Sequence, residues 1–323
     1  MCAAQIGQTT KPALAELGNP WHSRLMTTSA PSHRLAYVLL VLTALFWSGN
    51  FVLARAMHAA VPPMTLSFMR WLIAFALLAP FSLRHAWRER ALLWQCRGRI
   101  LALSLLGITA FNSLVYTGVQ TTTATNAVLL NSFIPILTVL FGALWFGQRL
   151  GGRQMLGLAV SFVGVLAIVS HGEWTRLVGL NLNQGDLIVF LAMVSWALYT
   201  LALRGLPTGL NRFGLLITMV MVGLLAILPF FVWEVASGRM VELNTATLAT
   251  FAYVGVFPSV VAYLFFNYGV ARLGPARAAM FIHLMPAFGA LLSTVFLGET
   301  LAWYHLAGIS AIFLGLSLST RGQ

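Results

Sequence analysis

The chain has 323 residues, of which 59% are hydrophobic and 8% charged, with a formal net charge of +12. Soluble domains carry about 25% charged residues, so this composition excludes an ordinary water-soluble fold. Nearly all of the positive charge is arginine set between apolar runs, which points to membrane topology and not to a nucleic-acid partner.

Residues 1–34 are polar and aperiodic, hold Pro12, Pro20 and Pro31, and lack the continuous apolar core of a signal peptide. They read as a disordered cytoplasmic tail, with Met26 as an alternative start. Apolar runs then follow at 35–56, 64–83, 100–118, 124–147, 154–170, 186–204, 213–234, 247–271, 277–297 and 303–320. Each is near the length a helix needs to cross a hydrocarbon core of ~30 Å. No period-two alternation appears, which excludes a membrane barrel. Between Arg99 and Arg149 there is no charge, and only a pair of spanning helices would tolerate that. Cys2 and Cys96 lie outside the runs and offer neither disulfide nor metal spacing. The chemistry predicts no cofactor and no metal.

Two stretches organise the chain, Thr123–Gln148 and Gly274–Glu299. A shift of 151 residues lays Pro135 on Pro286, Gly118 on Gly269, Gly147 on Gly298, Gly157 on Gly308 and Gly164 on Gly315. Small residues set how closely helices approach, so their repetition marks a shared packing plan. The arginines orient it. With the N-terminus in the cytoplasm, the inside segments carry Lys11, Arg24, Arg34, Arg84, Arg88, Arg90, Arg97 and Arg99. Arg149, Arg153, Arg204, Arg212, Arg272, Arg277 and Arg321 fall on the same side, against Arg55, Arg176 and Arg239 outside. Five spans per half is an odd number, so the halves are predicted to be inverted. The expected architecture is an all-α integral membrane protein of ten helices in two inverted five-helix repeats. The repeats cover 35–170 and 186–320, joined by an outside linker at 171–185, with both termini in the cytoplasm.

WSGNFVLAR in the first run, SFMRWLIAFALL in the second, and the LFGALWFGQ and LSTVFLGET ends of the fourth and ninth resemble the EamA domain. EamA is the tandem five-helix repeat of the drug/metabolite transporter superfamily, and the resemblance covers 36–320. It implies a transporter of small metabolites or amino acids working by alternating access, often outward, in the cytoplasmic (inner) membrane. One departure is Gln148, where the family usually has the glutamate seen at Glu299. If that acid closes a gate through a basic partner, the gate of the first half is weaker here.

The polar residues extend this reading. Asn112 and Tyr116 are four apart on one helical face, and Tyr263 and Asn267 occupy the equivalent positions with the types exchanged. At an offset of 149, Trp47 and Asn50 match Trp196 and Tyr199, each pair three apart on one helical face. These eight residues are expected to line a central cavity suited to a partly aromatic, zwitterionic or cationic substrate. The alternative is that they serve as interfacial anchors and interhelical glue. Asn131, near Pro135, and His283, near Pro286, join the candidate binding residues, because proline frees a backbone carbonyl that needs a partner. His283 could also carry a coupling proton. Arg70, Pro135, Pro286 and Glu299 are read as structural or gating residues. Arg70 is expected about two turns from the outer end of its span; a charge inside the membrane is a functional candidate, set against snorkelling outward or bonding to backbone carbonyls. No mid-depth carboxylate is present, which argues for facilitated diffusion, exchange or coupling through His283. An enzyme would need a nucleophile, base or metal cluster at one depth, and none emerges. A scaffold or sensor lacks an effector domain, and a channel-like facilitator is the runner-up. The partners expected are a small molecule and the bilayer, with no nucleic acid and with a monomer allowed.

Overall fold

The computed structural model describes residues 33–122, 124–148, 151–179, 183–207, 209–297 and 300–320. Residues 1–32 of the expected tail, and Glu299, lie outside the described residues. Among the described residues every regular element is helical. The first half holds α1 (His33–Ala56), α2 (Pro63–Arg88), α3 (Arg97–Gly118), α4 (Asn126–Phe146) and α5 (Gly152–Val169). The second half holds α6 (Gln184–Ala202), α7 (Arg212–Ala236), α8 (Thr245–Leu273), α9 (Pro275–Leu292) and α10 (Trp303–Thr320). Nine of these are long and apolar enough to cross a membrane, and the apolar stretch Trp303–Ser319 of α10 is shorter. A short helix, Trp174–Val178, lies between α5 and α6.

Local chemistry sets the helix ends. The Asn183 side chain accepts from Asp186 N at 3.1 Å while Asp186 accepts from Asn183 N at 2.7 Å, a reciprocal cap that opens α6. Asn244 and Thr247 form the same reciprocal cap at the start of α8, and the Asn211 side chain caps α7 by accepting from Phe213 N (2.9 Å) and Gly214 N (3.2 Å). Gly147 ends α4 at φ 59°, a left-handed turn in which Gln148 N reaches the Gly142 carbonyl at 3.0 Å. The expected end of the second run at 83 is too early, because α2 continues to Arg88. Arg84 and Arg88 are exposed there and can carry their charge outward on long apolar stems.

The most extensive helix contacts each join one half of the chain to the other. In α5 and α10, Gly157 faces the Gly315 carbonyl and Gly164 faces the Gly308 carbonyl, so the two backbones touch. In α2 and α7, Glu234 accepts from Met64 N (3.2 Å), Thr65 N (2.7 Å) and Thr65 Oγ1 (2.9 Å), closing the start of α2. Glu89, at the far end of α2, accepts from Asn211 N at 2.9 Å and closes the start of α7. Glu234 thus satisfies free N–H groups of a first-half helix, and Glu89 holds the capping residue of a second-half one. Gly118 on α3 packs against Val189 of α6, and Gly269 on α8 packs against Leu40 of α1. Each of these four pairs runs antiparallel.

Two irregularities recur in both halves. Ser104–Ala110 in α3 and Phe257–Val261 in α8 are π-helical turns, each just ahead of the predicted polar pair on its helix. The α-helical hydrogen bonding of α4 is interrupted between Asn131 and Ile134, and α9 passes through a 3₁₀ turn at Phe281–His283. Local departures of this kind expose carbonyls to side chains from neighbouring helices.

Candidate binding layer at the centre of the bundle

The π turn of α3 places the Gly107 carbonyl where Tyr263 Oη and, at 3.1 Å, Asn112 Nδ2 both donate to it. The matching turn of α8 offers the Pro258 carbonyl to Trp47 Nε1 at 3.1 Å, and Ser259 Oγ donates to the Val254 carbonyl at 2.6 Å. α3 and α8 therefore hold their polar faces against α1, α2 and α6 through side-chain bonds as well as packing.

Arg70 sits among these groups. Its residue is 2% exposed, and its guanidinium neither snorkels nor bonds to backbone. Nη1 donates to Asn112 Oδ1 and Tyr116 Oη, both at 2.6 Å, and reaches Asn50 Oδ1 at 3.5 Å. Nε donates to Ser259 Oγ at 2.7 Å, and Tyr116 Oη donates to Asn50 Oδ1 at 2.8 Å. The guanidinium also lies 5.1 Å from the Trp71 ring centroid and 5.7 Å from that of Tyr116. The expectation that Arg70 works from the periphery is corrected: three other helices, α1, α3 and α8, bring neutral oxygens to it, and those bonds hold the charge deep in the bundle.

An aromatic wall closes one side. Trp47 meets Trp196 edge-on at 4.9 Å and Phe266 at 5.2 Å, while Tyr263 meets Trp71 at 5.0 Å and Trp196 at 5.3 Å. Tyr199 Oη donates to Asn267 Oδ1 at 2.7 Å, a second polar pair beside the wall. Trp47, Asn50, Asn112, Tyr116, Trp196, Tyr199, Tyr263 and Asn267 thus lie in one layer. Asn131 stands next to it, with Nδ2 3.3 Å from Met285 Sδ. His283 is apart from it: Nε2 donates to the Ser132 carbonyl at 3.0 Å and Nδ1 meets Ser161 Oγ at 2.6 Å, which ties α9 to α4 and α5. It lines none of the cavities described below. Pro135 and Pro286 follow the two helix breaks, and Pro286 lines a cavity.

Ser259, Trp71 and Phe266 were not singled out from the sequence. Trp71 adjoins Arg70 and Phe266 adjoins Asn267, but Ser259 matters only because the π turn aims it at α2.

Two cavities approach the layer from opposite ends. One, of about 240 Å³, runs from His171 and His305 at its rim past Ser48 and Phe51 to Asn131, Met285 and Pro286. The other, of about 580 Å³, is bordered by Arg204, Arg212 and Arg272 and reaches Asn267. Between them the layer encloses a void of only about 10 Å³, bounded by Trp47, Asn50, Arg70, Asn112, Trp196 and Tyr263 among others. That is about the room one water requires.

Residues 34–170 and 183–321 each match the EamA-like transporter family. An uncharacterized transporter of Bacillus subtilis is 24% identical over 88% of this chain and 93% of its own length. The "Probable amino-acid metabolite efflux pump" of Escherichia coli is 24% identical over 88% of this chain and 94% of its own. The "Probable terminal-alkyne amino-acid exporter" of Streptantibioticus cattleyicolor is 28% identical over 87% and 92%. A solved crystal structure shares the fold with a TM-score of 0.68 at 20% identity, covering 90% of this chain and 97% of that one. With two family matches spanning nearly all of its helices, the chain belongs to the EamA-like transporter family and is a multi-pass membrane protein.

Proposed function

We propose that this protein is a secondary transporter that moves a small metabolite, an amino acid or a related compound, outward across the cytoplasmic membrane by alternating access. In this reading ten helices form two inverted five-helix repeats, 35–170 and 186–320, with 171–185 outside and both termini in the cytoplasm. The antiparallel pairing of α5 with α10, α2 with α7, α1 with α8 and α3 with α6 supports the inversion. Arg204, Arg212 and Arg272 at one end of the bundle support the orientation. The amino-acid assignment leans on what two relatives are named for.

The observation that carries the mechanism is the pair of blind cavities separated by a single closed layer. A channel-like facilitator needs a continuous path, whereas a carrier needs one central site shut off from at least one side at every moment. The two halves would rock about α4 and α9, whose breaks ahead of Pro135 and Pro286 lie beside the layer. The test places single cysteines at Ser48 and Val270, which line the two cavities, in a Cys2→Ala/Cys96→Ala background and labels each with an impermeant thiol reagent. Under a substrate gradient, labelling at one position rises as labelling at the other falls. Parallel changes at both positions would favour the channel.

A further inference from the structure

We infer that the central layer is built to receive the carboxylate of its substrate, with Arg70 as the counter-ion and the Trp196 indole N–H as a second donor; this rests on the transporter reading above.

The first observation is charge. Arg70 is buried in the middle of the bundle, and among the described residues no carboxylate meets it. Glu89, Asp186 and Glu234 are each committed to helix starts. A buried charge is held stably when it is paired, and here only neutral oxygens surround it. The second observation is an excess of donors. The bonds of Arg70 use Nε and Nη1, and Nη2 takes none. Among the described residues three buried polar side-chain atoms have no hydrogen-bond partner, and two of them are the Nε1 atoms of Trp71 and Trp196. Trp71 lies under the guanidinium, while Trp196 and Arg70 border the same small void. The local acceptors are already used: Asn50 Oδ1 takes Tyr116 Oη, Asn112 Oδ1 takes Nη1, and Gly107 O takes Tyr263 Oη and Asn112 Nδ2. A carboxylate offers two oxygens with about four lone pairs, all acceptors, and so supplies both the missing charge and the missing bonds. An organic cation would add like charge and further donors.

The approaches agree with this. The 580 Å³ cavity is bordered by Arg204, Arg212 and Arg272 with no acid among its lining residues, a field that concentrates anions. The 240 Å³ cavity reaches the layer through Phe51, Asn131 and Met285, all of which also border the central void. The void itself is too small for a carboxylate, so binding must accompany separation of the two halves at this layer.

The experiment uses the purified full chain in lipid nanodiscs, in chloride buffer throughout so that a halide cannot produce the difference. Thermal unfolding is followed with each proteinogenic amino acid, and every amino acid that stabilises is compared with its carboxamide and its decarboxylated amine. At least one amino acid is expected to stabilise, with affinity falling about tenfold or more for the amide and the amine. In Arg70→Gln that preference should vanish, Arg70→Lys should retain part of it, and Trp196→Phe should weaken the acid alone. Amines binding as tightly as acids, or no amino acid binding at all, would overturn the inference. Proteoliposome counterflow of the same compounds separates the two claims: amine transport without acid transport sinks the carboxylate site and leaves the transporter, whereas acid binding without translocation does the reverse.

Discussion

Replacing Gly164 by alanine probes the crossing that joins the two halves. A Cβ at Gly164 would stand 2.6 Å from the Gly308 carbonyl oxygen and 3.0 Å from both Ala311 Cβ and Ile312 Cγ1. The carbonyl is backbone and cannot turn aside, so α5 and α10 must part by roughly half an ångström or more. Overpacking of this size costs about 1–3 kcal/mol. Gly308→Ala strikes the reverse contact, 2.6 Å from the Gly164 oxygen, and should cost a similar amount. Once the first alanine has spread the helices the second finds space, so the double variant should cost less than the two singles added. Gly289 is the control: a Cβ there meets nothing within 4 Å, and alanine should be neutral or up to about 1 kcal/mol stabilising through helix propensity. Apparent unfolding temperatures of the four variants in one detergent provide the comparison. If Gly164→Ala and Gly289→Ala unfold alike, or if the double variant is strictly additive, the two backbones are not in contact.

Glu234→Gln keeps the shape of the acid but weakens three donated bonds at the start of α2. It should cost about 1–3 kcal/mol and raise hydrogen exchange at residues 64–66, and unchanged exchange would remove the acid from the cap. Single replacements of Asn50, Tyr116, Tyr199 and Asn267 by alanine should each reduce export from cells at equal expression, and four unaltered rates would sink the central layer as the site. His283→Gln should lower stability through its Ser132 and Ser161 contacts while leaving the pH profile of vesicle uptake as it was; a lost pH dependence would place the ring in the coupling step.

The helices were legible because each apolar run is bounded by arginine, proline or a capping residue, and those bounds are chemical. α7 was expected at 213–234 and spans Arg212–Ala236; α8 was expected at 247–271 and spans Thr245–Leu273. The eight aromatic and polar residues of the layer were legible for another reason: the same helical spacing occurs twice, and chance rarely places Asn and Tyr at matched sites in two spans. Three things were not legible. The π turns at Ser104–Ala110 and Phe257–Val261 leave no trace in hydrophobic period, since both lie inside continuous apolar runs. The setting of Arg70 depends on oxygens from α1, α3 and α8, which no local pattern relates to α2. His283 resembled a site residue because it is a histidine inside a span, yet Ser132 and Ser161 use both of its ring nitrogens.

The exchange of caps between Glu89 and Glu234 has a consequence for how the molecule comes together. Neither half completes every helix end by itself, since α2 takes an acid synthesised some 170 residues later and the Asn211 cap of α7 leans on one made long before. The early helices must therefore wait in the bilayer, loosely gathered, until their counterparts arrive. Cut between α5 and α6 and expressed as two genes, the pieces should fail singly and assemble when made together, as a heterodimer that had only been tethered.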